Sequence, residues 1–194
     1  KVNLGKNLTT IGYETFINCK KLQNIQIPSS VTSIGQDAFK DTKWYNSKDG
    51  LIYVNDILYR YRDDNLSDTT IDIKEGTKSV STGAFAACRK IVNVTIPYGI
   101  ERISEKMFLW CYNLKNVSIP DSVKEIDEHA FEGCKSMTEI TLPNSVTSIE
   151  NGIFYDCSKL TSVTFKGTKE EWNSISKYNW NVGSSVQKVI CTDG

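Results

Sequence analysis

Apolar and polar positions alternate along this chain in a pattern that returns every 23 residues. Leading aliphatics stand at Ile11, Ile34, Ile57, Val80, Ile103, Ile126 and Ile149, each one period after the last. Five residues after six of these leaders comes a phenylalanine: Phe16, Phe39, Phe85, Phe108, Phe131 and Phe154. Three further on stand Cys19, Cys88, Cys111, Cys134 and Cys157, followed by Leu22, Ile91, Leu114, Met137 and Leu160. Each unit then closes on an alternating pair, such as Ile25 and Ile27, Val94 and Ile96, or Val117 and Ile119. Apolar residues two apart predict a strand with one buried face. Pro28, Pro97, Pro120 and Pro143 end four of these strands, because proline has no N–H to give to a ladder. The Ala-Phe-x-x-Cys stretch is too short for a stable helix and predicts a single turn of α or 3-10 structure. A fixed period in the range of about 20–50 residues is the mark of a solenoid, in which no coil buries its apolar edge except against its neighbours.

The pattern lapses once and then degenerates. Thr42 replaces the cysteine of the second copy, and residues 44–62 read as two apolar runs, LIYV and ILYRY, around Asn55-Asp56. That arrangement predicts a β-hairpin, and the motif resumes in phase at Ile71 and Ile73. Residues 44–78 are therefore expected to be an irregular, hairpin-containing repeat inside a single 1–194 solenoid. From Lys166 onward the unit decays, and Trp172 stands one period after Ile149. Residues 166–194 are expected to form a cap, with Trp172 and Trp180 sealing the open core and Glu170 and Glu171 at the start of a short helix. The chain opens in mid-repeat, with Val2 and Leu4 at the positions of Ile25 and Ile27, and so reads as a fragment. An open coil edge at that end would favour end-to-end dimers of the fragment.

Charge and chemistry narrow the function by subtraction. Lys plus Arg and Asp plus Glu are both 23, which gives no reason to expect nucleic acid as a partner. No apolar run approaches the ~18 residues that argue for a membrane span. Five of the six cysteines share one repeat position and read as small apolar fillers, with disulfide pairing or a metal site as weaker readings; Cys191 is expected to be the accessible one. His129 is the single histidine and has no partner at catalytic spacing; Glu128 is expected to point away from it. No phosphate loop, zinc motif or cofactor fingerprint occurs, and an enzyme is not expected. Asn-x-Ser/Thr occurs at Asn7, Asn65, Asn93 and Asn116, which matters only in a glycosylating host.

Two surfaces are candidates for binding. The outward side of the main strands carries Asn24, Gln26, Asn93, Thr95, Asn116, Ser118, Glu139 and Thr141, together with Thr70, Asp72, Ser162 and Thr164. It is polar and nearly uncharged, either a merely soluble β-face or a hydrogen-bonding strip. The hairpin carries Trp44, Tyr45, Tyr53, Tyr59 and Tyr61 beside Arg60, Arg62, Asp63 and Asp64. These rings either anchor a partner or sugar, or plug the gap left by the missing Phe and Cys.

The unit LKNVSIPDSVKEIDEHAFEGC, Leu114 to Cys134, resembles the repeat of the BspA-like leucine-rich-repeat family. Period, proline, phenylalanine and cysteine all agree over nearly the whole chain; Thr42, the hairpin, and Lys74 and Lys166 in place of proline depart from it. The resemblance implies a right-handed solenoid with a parallel sheet on its concave face and short helical turns and extended segments elsewhere. It also implies a secreted or cell-surface bacterial protein, often from host-associated species. Members are thought to act as adhesins toward matrix proteins, cells or glycans. A surface spacer with no ligand of its own is the second reading. The family has no shared binding motif to transfer.

Overall fold

The computed structural model describes residues 2–63, 67 and 69–194. The alternating pairs form the main strands: Val2–Asn3, Ile25–Gln26, Thr70–Asp72, Asn93–Thr95, Asn116–Ser118, Glu139–Leu142, Ser162–Phe165 and Lys188–Ile190. The leading aliphatics form a second column of two-residue strands, from Thr10–Ile11 to Ser176–Lys177. Within both columns most neighbours pair in parallel, Val94 opposite Val117 and Ile103 opposite Ile126; Asn116–Ser118 and Glu139–Leu142, and Ser79–Val80 and Arg102–Ile103, are adjacent without a strand pairing. This is the parallel-strand solenoid that the period requires.

The Ala-Phe-x-x-Cys stretches are hydrogen-bonded turns rather than helices, for a reason the apolar pattern conceals. Two residues per coil, four apart, sit in the left-handed region: Glu14 and Asn18, Asp37 and Asp41, Lys106 and Trp110, His129 and Gly133, Gly152 and Asp156. The left-handed residues interrupt the run of right-handed backbone that a helix needs. They also turn alternate N–H groups toward the next coil. Lys106, Phe108 and Trp110 donate to Glu128, Ala130 and Glu132 at 3.1, 2.8 and 2.7 Å. The turn edge is thus a third cross-coil ladder.

Inside the coils the phenylalanines stack. Phe85, Phe108, Phe131 and Phe154 are all buried, with successive ring centroids 5.3, 5.4 and 5.7 Å apart. The cysteines beside them stay free thiols, and their Sγ atoms donate back along the stack. Cys111 donates to Phe85 O at 3.0 Å, Cys134 to Phe108 O at 3.4 Å and Cys157 to Phe131 O at 3.0 Å. Burial pushes the Cys111 and Cys134 thiols well above the ordinary range. Cys19, on the first full coil, is exposed, whereas Cys191 is half-buried, which reverses the expected accessibility. Ellman's reagent should therefore label Cys19 at once and Cys191 more slowly. Cys88, Cys111, Cys134 and Cys157 should react only in denaturant, and fast native labelling of any of these four would contradict the burial.

The hairpin is present, Gly50–Val54 against Ile57–Arg62, with Asn55 in the left-handed region at its turn. Its register differs from the period: Val80 pairs with Leu58, not with Ile57. The register shifts between Ile52 and Tyr53, leaving Tyr59 on the opposing strand as the extra residue of a bulge, which explains how Leu58 and Tyr61, an odd number apart, face the same way. Leu51, Tyr53, Leu58 and Tyr61 pack into a large core running to Ile175, while Ile52, Val54, Ile57 and Tyr59 join a smaller core with Ile11, Ile34 and Phe39. Both faces of the hairpin are buried, so it forms a wall between two stacks.

Among the described residues, no strand pairing and no backbone–backbone hydrogen bond joins residues 2–48 to residues 50–194. Side chains make the connection. Tyr59 Oη accepts from Phe39 N at 3.0 Å, Asn55 Nδ2 donates to Pro28 O at 3.1 Å, and Arg62 Nη1 donates to Tyr45 O and Lys48 O at 3.0 and 2.9 Å. Thr42 has a role that a cysteine could not fill: its hydroxyl caps the short helix Lys43–Asn46 by accepting from Tyr45 N at 3.0 Å. At the far end, Thr168 and Glu171 form a capping box on the helix Lys169–Ser174. Trp172 packs on Phe165 at 5.3 Å and Trp180 on Phe154 at 6.1 Å, closing both columns of rings.

Candidate functional site

The outward residues of the main strands are held in line by the ladder itself. Thr70, Asn93 and Asn116 stand opposite one another, as do Asp72, Thr95 and Ser118. Asn116 Nδ2 donates to Asn93 Oδ1 at 2.8 Å, and Asn93 Nδ2 donates to Thr70 Oγ1 at 3.0 Å. Each amide keeps its remaining groups for solvent, so the row is aligned and still able to bond outward. Glu139 and Ser162, and Thr141 and Thr164, continue the two rows on the following pair of strands. Asn24 and Gln26 are not part of this strip. Their strand pairs only with Val2–Asn3, and the wall of the hairpin separates it from Thr70–Asp72. The strip that the period suggests as continuous is therefore split.

The hairpin aromatics belong mostly to the framework. Tyr59 and Tyr61 are buried, so neither presents a face to a ligand. Burial pushes the Tyr59 phenol far above its ordinary range. Tyr61 stacks on Phe85 at 5.6 Å and supplies the ring that the third coil lacks. Trp44 packs on Phe39 at 4.9 Å, and Tyr53 Oη accepts from Lys74 N at 3.0 Å. Arg60 donates to Gly83 O and Ala86 O at 2.6 and 3.1 Å, tying the wall to the next turn. Asp64 and Asn65 lie outside the described residues.

His129 is half-exposed and turns toward Glu132, with Nδ1 2.7 Å from Oε2; Glu128 is not its neighbour in this pair. Among the described residues no group of three or more His, Cys, Asp or Glu could hold a metal ion, and no helix is long and apolar enough to cross a membrane. Asn93 and Asn116 each use one amide N–H in the side-chain row, while Asn7 is exposed. The large exposed rings are Tyr13, Tyr98, Trp110, Tyr155 and Tyr178, none of which the apolar pattern singles out. At Tyr98 the signal in the sequence is an aromatic where the other copies have Ser29, Asp121 and Asn144, and at Trp110 one where most copies have Asn, Asp or Gly; Tyr155, with Ile17, Ala86 and Leu109 among its counterparts, carries no such signal.

A family model described as the BspA type leucine rich repeat region matches six copies, over residues 1–48 and 58–189. The unmatched residues 49–57 are the first hairpin strand and its turn. No curated protein matches the chain. Among solved structures, a leucine rich cell surface protein of Faecalibacterium prausnitzii is 25% identical, with a TM-score of 0.61 over 89% of this chain and 55% of its own. A leucine rich repeat protein of T. pallidum is 25% identical, with a TM-score of 0.52 over 73% and 67%. The pneumococcal vaccine antigen PcpA shares the fold at 22% identity, with a TM-score of 0.66 over 95% and 48%. The chain spans about half the length of the first and third of these.

Proposed function

Because the chain belongs to the BspA-type leucine-rich-repeat family, we propose that it is an extracellular, adhesin-like binding module without enzymatic activity. Residues 1–194 act in this reading as one solenoid, with 44–78 as its irregular repeat and 166–194 as its cap. The ligand is a host matrix protein or glycan, met by the main-strand face. The observation that carries this is the aligned amide and hydroxyl row of Thr70, the half-buried Asn93 and Asn116 on a sheet whose opposite face packs into the core. The surface setting draws support from the Faecalibacterium protein, which is described as a cell surface protein.

The test is a binding screen of the chain against matrix proteins, mucins and glycans, with an Asn93→Arg/Asn116→Arg variant beside it. Two guanidinium groups on adjacent coils should weaken a true strip ligand by about tenfold or more while leaving the circular dichroism spectrum unchanged. A ligand retained in full by a folded double variant would remove the strip from consideration. Silence across the screen would favour a spacer that projects other domains.

A further inference from the structure

The strand face leaves one feature of the opposite edge without a purpose. Trp110 sits in the left-handed region at φ 59°, where its counterparts are Asn18, Asp41, Ala87, Gly133, Asp156 and Gly183. All but the small Ala87 are residue types that tolerate that backbone, whereas a bulky side chain is an outlier there and holds strain. Core packing does not compensate for it, because Trp110 is 47% exposed.

Its ring lies against the next coil at Gly133, where an added Cβ would stand 2.7 Å from Trp110 Cδ1. Two coils after Trp110, Tyr155 stands one position before Trp110's counterpart Asp156; it too is 47% exposed, and its ring lies against Gly183 in the space a Cβ would need. Each ring therefore touches a glycine of the next coil and is still about half exposed. The coils carrying Trp110 and Tyr155 are joined through Gly133 by ladder bonds, Trp110 N to Glu132 O at 2.7 Å and Gly133 N to Tyr155 O at 2.8 Å. At ~4.8 Å per ladder step the two platforms are about 10 Å apart. Lys135 Nζ, from the intervening coil, forms a half-exposed pair at 2.8 Å with Oδ2 of Asp156, the neighbour of Tyr155.

We propose that this edge is a binding site for an extended β-linked glycan, with Trp110 and Tyr155 as stacking platforms. The apolar C–H face of a pyranose suits the electron-rich face of an aromatic ring. In a straight β-1,4-linked chain each sugar is turned over relative to the last, so the same face recurs once per disaccharide. Two platforms two coils apart match that recurrence, and Lys135 and Asp156 are placed to bond the hydroxyls of the intervening sugar. An α-linked glucan coils and would not present successive faces in line. The site is separate from the strand face and does not depend on it.

The experiment is isothermal titration with cellohexaose and chitohexaose as probes and maltohexaose as the control. The whole chain should bind at least one β-linked hexamer at millimolar concentration and show no heat with maltohexaose. Trp110→Asn and Tyr155→Ser should each weaken binding about tenfold, the scale of one stacking contact. Trp110→Asn should melt no lower than the parent, because asparagine accepts the left-handed backbone. Asn93→Arg/Asn116→Arg should bind the hexamer as the parent does, which separates this site from the strand face. No binding of either β-linked hexamer would overturn the proposal. So would equal binding of maltohexaose, undiminished binding in both ring variants, or loss of binding in the strand-face variant.

Discussion

Phe131→Ala lowers the unfolding free energy of the larger stack by about 3–5 kcal/mol, read from urea denaturation followed by circular dichroism. The ring is fully buried between Phe108 at 5.4 Å and Phe154 at 5.7 Å. Truncation removes stacking on both sides at once, so the cost belongs at the upper end of the range. Phe131→Leu keeps most of the volume and should cost roughly half as much. The same truncation at Phe16, which is half-buried with one stacked neighbour at 5.5 Å, should cost clearly less. Equal losses at Phe16 and Phe131 would mean that the stack does not store its energy cooperatively along its length.

Tyr59→Ala is the second large effect, and its loss should fall on one side of the molecule. The ring packs edge-on to Phe39 at 5.4 Å, and its oxygen accepts the Phe39 N–H at 3.0 Å. Removing it creates a cavity and leaves a buried donor unpaired, together about 3–5 kcal/mol. The core it serves holds nine buried apolar residues, and no backbone–backbone bond among the described residues ties its part in residues 2–48 to residues 50–194. Hydrogen exchange should therefore accelerate at the amides of Phe16 and Asn18, which donate to Ala38 and Lys40. The amides of Phe108 and Trp110 should keep their protection. Tyr59→Phe retains the ring, loses only the acceptor, and should cost about 1–2 kcal/mol. Uniform acceleration at all four amides would show that the two cores open as one.

The period made the solenoid legible before any coordinates, because stacking places the same residue type at the same height in every coil. Phe131 and Val94 could be assigned to the core on that ground alone. The turn edge was harder to read. Left-handed backbone is written in residues such as Asn18, Asp41 and Gly152, which an apolar pattern treats as blanks, so helical turns were expected where a third ladder stands. The hairpin misled through parity: Ile57 keeps the 23-residue spacing, but the bulge hands its place to Leu58. Periodicity is a statement about sequence distance, and one extra residue in a strand exchanges inside for outside. Of the candidate site residues, Asn93 and Asn116 stand where the spacing puts them. Asn24 and Gln26 share their sequence position but are cut off by the wall, a tertiary fact with no local signature.

The absence of a ladder across the hairpin also bears on how the molecule would respond to load. Elsewhere along the stack, a force pulling one coil from the next must shear several parallel backbone bonds together. At the wall it meets no backbone ladder among the described residues; side-chain ties such as those of Tyr59, Asn55, Arg62 and Ser79, and the apolar contact of one hairpin face, take the load. That boundary is a mechanical fuse. A tug strong enough to harm the array would part the first coils from the wall and leave the strand face and the aromatic edge, both on the far side, in working order.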